Sequence, residues 1–208
     1  HALALMYACT RDLEGSRRGT FSKPNRPDVF ELHDKILGII GIGRIGSYFS
    51  RKSAPLFKQV LAYDPYKTSA YMKPFGARKV GLSTLLQKSH VISLHCNLTG
   101  ETRHLLDADA FREMKQKPVL VNTSRGPVIE ETALLCALDS GRVHSAGLDV
   151  FEKEPPGPEQ QALLNHPGVI HTPHIAWYSS TSIRTLQRTA AQHLLTLLNG
   201  EALEDELT

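Results

Sequence analysis

The sequence predicts an α/β fold in which a doubly wound parallel sheet carries helices on both faces. Short apolar segments alternate with helical segments at intervals of roughly 25 residues. A glycine-rich turn separates the first apolar segment from the first long helical one, and an acidic residue directly follows the second apolar segment. This order is typical of parallel strands whose connecting helices bury both faces of the sheet. We expect ligands to bind beyond the carboxyl ends of the strands.

Each strand is predicted from a short apolar run bounded by polar residues or glycine. The strands are expected at residues 36–40, 59–63, 79–80, 91–95, 118–123, 145–150 and 169–172. Helices fill the intervals; Ser83 is expected to cap one of them, and Asp107 to begin another. The helices are expected at residues 44–57, 83–88, 107–115, 130–139 and 182–198.

The composition excludes several classes of protein. Of the 208 residues, 41% are hydrophobic and 22% are charged, which excludes a disordered tail or a small disulfide scaffold. The net charge of +3 is weak support for a nucleic-acid partner, for which a clustered basic face is expected. No apolar run approaches the roughly 20 residues that cross a bilayer, so we expect no membrane partner.

The cysteines Cys9, Cys96 and Cys136 are too few and too widely spaced for a zinc framework. Their odd number favours a reducing compartment, and the sequence shows no signal peptide. We therefore expect a cytoplasmic protein without a metal site.

Three segments are expected along the chain. Residues 1–30 form a junction helix and a polar linker, residues 31–181 form the α/β domain, and residues 182–208 form a C-terminal helix. The stretch from Ala2 to Cys9 is almost wholly apolar, which predicts a helix whose partners lie outside this chain. The last helix is also expected to pack toward an absent domain, so we interpret the chain as a fragment.

The glycine-rich turn predicts a dinucleotide site. Gly41, Gly43 and Gly46 form a G-x-G-x-x-G pattern that follows an apolar strand and opens a helix at Arg44 and Ile45, the arrangement of a Rossmann fold. The first glycine permits the tight turn, the second lets a pyrophosphate approach the backbone, and the third lets the helix press on the sheet. The helix N-terminus offers free N–H groups to the phosphates.

Asp64 directly follows the second strand, 18 residues after Gly46. A carboxylate at this place accepts hydrogen bonds from the adenosine ribose and repels a 2′-phosphate, so NAD is favoured over NADP. No arginine follows to offset that repulsion, and Lys67 is the nearest cation. The alternative is a structural glycine turn beside a surface aspartate.

Five segments together resemble the NAD-binding domain of the D-isomer-specific 2-hydroxyacid dehydrogenases. They occur in the family's order and spacing, and the resemblance covers nearly the whole chain. The segments are ILGIIGIGRIG at 36–46, LAYDPY at 61–66, VLVNTSRGPVIE at 119–130, GLDVFEKEP at 147–155 and HTPHIAWYS at 171–179.

The resemblance implies that Arg125, Glu154 and His174 are the catalytic residues. A planar guanidinium such as that of Arg125 can hold the carboxylate of a 2-keto acid and polarise its ketone oxygen. An imidazole such as that of His174 can give that oxygen a proton near neutral pH. Glu154 would orient the imidazole and favour its protonated form. Taken singly, each residue also fits a structural role.

Further residues are implied to contact the cofactor or the substrate. Asp149 corresponds to the acid that contacts the nicotinamide carboxamide, although a strand-end cap is an alternative. Leu98, Thr99 and Thr123 lie where family members line the cofactor. Trp177 would stack on a hydrophobic substrate side chain, or would only pack on the absent domain.

Two departures from the family pattern matter. Asn97 replaces a proline that is common after the His-Cys pair. The family's substrate domain is built mainly from residues before the first helix, and it is largely missing from this sequence. Glu154 argues against the formate dehydrogenase branch, and the aromatic pair of Trp177 and Tyr178 resembles the C-terminal-binding-protein-like and D-lactate-type branches.

Three functions are compatible with the resemblance. The first is an NAD-dependent oxidoreductase that transfers a hydride between NADH and C2 of a small 2-keto or 2-hydroxy acid. The alternative is an NAD(H)-sensing, corepressor-like assembly protein in which dehydrogenase activity is incidental. The third is a bare NAD-binding fragment without activity. A homodimer is expected under the first two.

Overall fold

A parallel sheet is the centre of the part of the chain that this computed structural model describes, residues 1–13 and 29–203. Its strands are β1 Ile36–Ile40, β2 Gln59–Tyr63, β3 Ala77–Lys79, β4 Val91–Leu94, β5 Val119–Asn122, β6 Ser145–Leu148 and β7 Val169–His171. They lie in the order β3-β2-β1-β4-β5-β6-β7. The chain adds strands on one side of β1 and then crosses to β4 on the other. The predicted doubly wound Rossmann-type fold is therefore confirmed.

Helices cover both faces of the sheet. Those of the described residues are α1 Ala2–Thr10, α2 Arg44–Ser53, α3 Ser69–Met72, α4 Leu82–Lys88, α5 Ala108–Glu113, α6 Glu131–Asp139, α7 Gln161–Leu164 and α8 Ser180–Leu198. Phe111 of α5 and Leu134 of α6 are buried in one hydrophobic cluster. Met6 of α1 and Phe49 of α2 are buried in another. Burial on both faces explains why the strands are almost continuously apolar.

The strand register brings the predicted site residues to one edge of the sheet. Ile40 at the end of β1 pairs with Tyr63 of β2 and with Leu94 of β4. The next residues along these strands, Gly41, Asp64 and His95, therefore emerge side by side. Asn122 pairs in the same way with Leu94 and Leu148, and Leu148 pairs with His171. The turns after β5, β6 and β7 thus meet at the same edge.

The first helix packs on the sheet, which corrects the expectation that its partners lie outside this chain. Leu5, Met6 and Cys9 are buried, and the helix contacts β5, β6 and β7. A Cβ atom on Gly147 of β6 would lie 2.9 Å from the Cβ atom of Leu5, so the helix rests directly on that strand. A glycine in the middle of a buried strand permits this close approach.

Two compact units divide the chain, His1–His174 and Ile175–Thr208. The second unit contains α8, whose first turn is capped by the hydroxyl of Ser179, which accepts from the backbone N–H of Ser182 at 3.0 Å. Most of the predicted linker at residues 11–30 lies outside the described residues. The domain boundaries drawn at residues 30 and 181 stay a prediction.

Some element ends differ from the sequence prediction. Ser83 lies inside α4, which follows Gly81, and its hydroxyl bonds to Glu113 instead of capping the helix. Helix α2 ends at Ser53, and a short 3-10 segment, Ala54–Leu56, continues it. Asp107 caps α5 as predicted, since its carboxylate accepts from the Ala110 N–H at 2.9 Å. Among the helices of residues 1–13 and 29–203, none is long and apolar enough to cross a membrane.

Candidate active site

The glycine-rich turn lies where β1 ends, between β2 and β4. Gly41 has a φ of 89°, and its N–H donates to the carbonyl of Tyr63 at 2.9 Å. A Cβ atom on Gly41 would lie 2.5 Å from the backbone nitrogen of Cys96. A residue with a side chain therefore meets both strain and a clash here, and glycine avoids both.

Gly43, the second glycine of the pattern, faces open space. A Cβ atom on Gly43 would meet nothing within 4 Å, and the residue directly precedes Arg44, the first residue of α2. The N–H groups of a first helical turn have no partner inside the helix. Arg44 and Ile45 therefore begin a helix whose N-terminus borders an uncovered space, as an anion-binding turn requires. The side chain of Ile45 is 70% exposed.

Asp64 supports the same turn. It is 9% exposed, and its Oδ2 atom accepts a hydrogen bond from the backbone N–H of Ile42 at 2.9 Å. The other oxygen, Oδ1, accepts from the Tyr66 N–H at 3.0 Å. A carboxylate has about four acceptor positions, so these two bonds leave capacity for ribose hydroxyls.

A cavity of about 380 Å³ opens beside Asp64. Its lining includes Gly41, Gly43, Asp64, Tyr66, Lys67 and Thr99. Across it, the hydroxyl of Tyr66 donates to the carboxylate of Glu101. Thr99 belongs to a tight turn in which its N–H donates to the hydroxyl of Thr102 at 2.8 Å. The open space at Gly43, the adjoining N-terminus of α2 and the buried acid fit the adenosine and pyrophosphate parts of NAD.

A second cavity of about 320 Å³ continues from the first through shared residues His95, Cys96 and Asn97. The remaining lining residues are Ile45, Leu98, Thr123, Ser124 and Arg125. The predicted cofactor residues of three loops, Ile45, Leu98 and Thr123, thus lie around one space, together with the predicted catalytic residue Arg125.

Asn122 shapes the turn that carries Arg125. Its side chain is buried, its Nδ2 atom donates to the carbonyl of Arg125 at 3.0 Å, and its Oδ1 atom accepts from the Ser124 N–H, also at 3.0 Å. The guanidinium of Arg125 donates to the Ser124 carbonyl at 2.7 Å. The backbone is therefore fixed, while the exposed guanidinium retains donors for a substrate carboxylate.

Glu154 and His174 form a hydrogen-bonded pair. The Nδ1 atom of His174 lies 2.6 Å from the Oε2 atom of Glu154, and the two side chains are 43% and 35% exposed. The other oxygen, Oε1, accepts from the backbone N–H of Phe151 at 3.0 Å. An imidazole bonded to a carboxylate through Nδ1 keeps its Nε2 atom for proton transfer to a bound molecule.

The backbone of His174 is held in a left-handed conformation. Its φ is 53°, which costs a non-glycine residue roughly 1–2 kcal/mol. The His174 N–H donates to the carbonyls of Asp149 at 2.9 Å and Thr172 at 3.0 Å. These bonds tie the backbone at His174 to the residues that follow β6 and β7.

Asp149 is fully buried at the end of β6. Its carboxylate accepts from the hydroxyl of Thr172, and the Nε2 atom of His1 lies 3.4 Å from its Oδ1 atom. These contacts are of the kind that a strand-end cap makes, which is the alternative role for Asp149. The predicted contact with the nicotinamide carboxamide stays a prediction.

Two loops of the predicted catalytic set touch through their backbones. A Cβ atom on Gly126 would lie 1.9 Å from the carbonyl carbon of Phe151. Gly126 directly follows Arg125, and Phe151 donates to Glu154. The structure therefore holds the Arg125 turn against the loop whose carboxylate binds His174.

Trp177 belongs to the second unit, Ile175–Thr208. It is 55% exposed, and its ring meets that of Tyr178 edge-on at 5.5 Å. Its predicted role in substrate binding stays a prediction.

Sequence reasoning missed Asn122, Thr172 and Glu131 as supports of the site. Asn122 ends β5 and Thr172 follows β7. Short polar side chains at strand ends bond to nearby groups, and this position was an available signal. Glu131 begins α6 and bonds to the loop of Glu154. An acidic residue at a helix start is common, so the sequence carried no specific signal for it.

Comparison with known proteins identifies similar chains. Residues 2–176 match the family described as D-isomer specific 2-hydroxyacid dehydrogenase, NAD binding domain. Glyoxylate/hydroxypyruvate reductase B of Citrobacter koseri is 38% identical over 186 residues, which are 88% of this chain and 57% of that protein. The chain thus spans little more than half the length of this curated relative.

Solved structures of D-2-hydroxyacid and D-lactate dehydrogenases are also similar to this chain. D-lactate dehydrogenase from Escherichia coli is 35% identical with a TM-score of 0.85, and the match covers 100% of this chain and 66% of the other. The NAD-complexed D-isomer-specific 2-hydroxyacid dehydrogenase from Lactobacillus delbrueckii ssp. bulgaricus is 25% identical with a TM-score of 0.87, over 100% of this chain and 68% of the other. Both glyoxylate/hydroxypyruvate reductases and D-lactate dehydrogenases are similar to this chain, and the branch indicated by Trp177 and Tyr178 stays a prediction.

Proposed function

Because the chain belongs to the D-isomer-specific 2-hydroxyacid dehydrogenase family, as its NAD-binding domain, we propose that the protein interconverts a small 2-keto acid and its 2-hydroxy acid. The observation that carries this proposal is the bond of 2.6 Å between His174 and Glu154. It lies at the sheet edge where the cofactor cavities open. A proton donor beside a nicotinamide site is the arrangement that ketone reduction needs.

The cofactor is NAD, held by the residues of the two cavities. The N–H groups at the start of α2 would hold the pyrophosphate, and Asp64 would accept hydrogen bonds from the ribose hydroxyls. The reduced nicotinamide would supply the hydride for C2 of the substrate. Substrate binding and proton transfer are carried out by side chains of this chain.

Two side chains act on the substrate, and a third acts on one of them. The guanidinium of Arg125 binds the substrate carboxylate and polarises the adjacent ketone. His174 donates a proton to the ketone oxygen during reduction and removes the hydroxyl proton during oxidation. Glu154 holds the imidazole in one orientation through Nδ1.

We also propose a homodimer in the cytoplasm. Cys9, Cys96 and Cys136, all within the described residues, form no disulfide bond, as a reducing compartment favours. Sedimentation equilibrium of the full-length protein tests the assembly: twice the monomer mass supports a dimer, and the monomer mass contradicts it.

NADH oxidation tests the activity. We expect the full-length protein to oxidise NADH with at least one of glyoxylate, pyruvate, hydroxypyruvate or a bulkier 2-keto acid. His174→Ala should lower kcat by roughly 10²–10⁴-fold, the usual contribution of a general acid, with NADH affinity nearly unchanged. His33→Ala, a change at an exposed histidine, serves as the control. Equal turnover in His174→Ala and the wild type would contradict the proposal, as would tight NADH binding without any turnover.

A further inference from the structure

The loop after β6 has to hold Glu154 in hydrogen-bonding distance of His174. From Val150 to Gly157 this loop has no helix or strand. Glu154 is a partly exposed side chain on an irregular backbone. A misplacement of about 1 Å in a catalytic group can cost on the order of 100-fold in rate. Something outside the pair must therefore fix the loop.

Glu131, the first residue of α6, binds this loop by a reciprocal pair of hydrogen bonds. The backbone N–H of Glu131 donates to Oε1 of Glu152 at 3.0 Å. In return, the backbone N–H of Glu152 donates to Oε1 of Glu131 at 2.7 Å. Each glutamate thus satisfies the main chain of the other, and the two segments are joined at one register.

Gln160 extends the connection to the far side of the loop. It is only 5% exposed. Its Nε2 atom donates to Oε2 of Glu131 at 2.9 Å and lies 3.3 Å from the carbonyl oxygen of Lys153. Its Oε1 atom accepts from the Gly157 N–H at 2.8 Å. Bonds from Glu131 and Gln160 therefore reach the residues on both sides of Glu154.

The connection continues to the imidazole. Glu152 adjoins Phe151, whose N–H donates to Oε1 of Glu154, while Oε2 of Glu154 bonds to His174. An unbroken series of hydrogen bonds and short backbone steps leads from the start of α6 to His174. None of Glu131, Glu152 and Gln160 lines either cofactor cavity.

We propose that Glu131 is a positioning residue for proton transfer: together with Gln160 it fixes the loop of residues 151–160 so that Glu154 holds His174. This inference rests on the proposed function, since it concerns the same histidine. It assigns no contact with substrate or cofactor to Glu131. The expected defect is therefore in kcat, while NADH affinity stays unchanged.

Glu131→Gln in the full-length protein is the direct test. The glutamine keeps the volume and one acceptor, but its amide nitrogen meets the Nε2 donor of Gln160, so one bond is lost. We expect kcat to fall roughly tenfold and the dissociation constant of NADH to stay within about twofold. Glu130→Gln is the matched control, because the side chain of Glu130 makes no capping bond to α6.

A double-mutant cycle distinguishes positioning from a general structural effect. If Glu131 acts through Glu154, the tenfold loss should disappear when Glu131→Gln is made in a Glu154→Gln background, since coupled residues are non-additive. Equal losses in both backgrounds would overturn the proposal, and so would wild-type kcat in Glu131→Gln. An inactive wild type would instead refute the proposed function, and the two failures are thereby separated.

A compensating pair provides the rescue. In Glu131→Gln with Gln160→Glu, the new amide can donate to the new carboxylate, which still accepts from Gly157 but can no longer donate to the Lys153 carbonyl. We expect this double variant to recover part of the lost kcat. If Glu131→Gln does not fold, Gln160→Met removes the bond to Glu131 from the loop side, together with the bonds to Lys153 and Gly157, and takes its place in the cycle. Absence of recovery in a folded double variant would count against the assigned bond.

Discussion

Gly46 lies so close to Gly41 that a Cβ atom on it would be 2.0 Å from the Gly41 carbonyl oxygen. The oxygen belongs to the main chain and cannot move aside as a flexible side chain can. Gly43, between the two, has open space at the same position. The three glycines of one turn therefore have different physical reasons to be glycine.

Alanine at Gly43 and at Gly46 should separate cofactor binding from stability. Gly46→Ala forces the turn apart, and we expect a loss of about 1–3 kcal/mol in the free energy of unfolding. Gly43→Ala should change that free energy by less than about 0.5 kcal/mol. It should nevertheless weaken NADH binding by roughly 10–100-fold, because charge-assisted bonds to the pyrophosphate are displaced. Denaturant unfolding and fluorescence titration with NADH measure the two effects. Unchanged NADH affinity in Gly43→Ala would contradict the assignment of the open space.

The contact of Gly126 with Phe151 predicts a joint loss of stability and activity. An alanine at Gly126 pushes the Arg125 turn away from the loop of Glu154, and we expect a stability loss of about 1–3 kcal/mol. In the molecules that remain folded, kcat should fall by roughly 10–100-fold. Gly81→Ala is the control, because a Cβ atom there meets nothing within 4 Å. The value of kcat is measured at a temperature where both variants are folded. A kcat of Gly126→Ala equal to that of Gly81→Ala would refute the prediction.

The burial of His95 predicts a loss of stability in mild acid. Burial lowers the pKa of His95 from 6.5 to about 4, since the charged imidazole is poorly solvated there. The unfolded chain therefore takes up the proton first as the pH falls. The stabilising contribution is complete above pH 6.5 and is lost toward pH 4.

Between pH 7 and pH 5, His95 should remove about 2 kcal/mol from the free energy of unfolding. Urea unfolding at a series of pH values measures this slope. His95→Gln carries no titrating group at this position, so its slope over the same interval should be smaller. Identical slopes for the two proteins would show that His95 is not the group responsible.

The cysteines should react with alkylating reagents at different rates. Burial raises the pKa of the Cys96 thiol to about 11, so less than about 0.1% of it is thiolate at pH 7.5. Cys9 is buried and Cys136 is exposed. Peptide mapping after brief iodoacetamide treatment should find the label on Cys136, and Cys136→Ser should abolish most of it. Labelling of Cys96 as fast as that of Cys136 would contradict the buried environment.

Local sequence patterns predicted most of the strands and the cofactor turn. A strand buried on both faces has to be apolar along its length, and Gly41, the residue after β1, has to be glycine to fit between the ends of β2 and β4. These constraints act on neighbouring residues and are therefore visible in the sequence. The polar start of a helix is visible in the same way, as Asp107 shows, although Ser83 satisfied the same rule without capping.

Long-range partners could not be predicted from local pattern. The pairing of Glu154 with His174 came from the resemblance, because twenty residues separate the two and no local rule joins them. The apolar helix at the start of the chain was wrongly assigned to partners elsewhere. Apolarity shows that a helix is buried, but it does not show against which surface. The link between Glu131 and Glu152 had no signal at all, since only the fold brings them together.

The two bonds of Asp64 to Ile42 and Tyr66 bear on redesign of coenzyme preference. Replacing this aspartate by a small neutral residue would remove the charge that repels a 2′-phosphate, and would also leave two backbone donors without their acceptor. A variant made to use the phosphorylated coenzyme therefore loses rigidity in its glycine turn along with its old selectivity. Asparagine keeps one acceptor oxygen, so it is the better starting point for directed evolution than alanine.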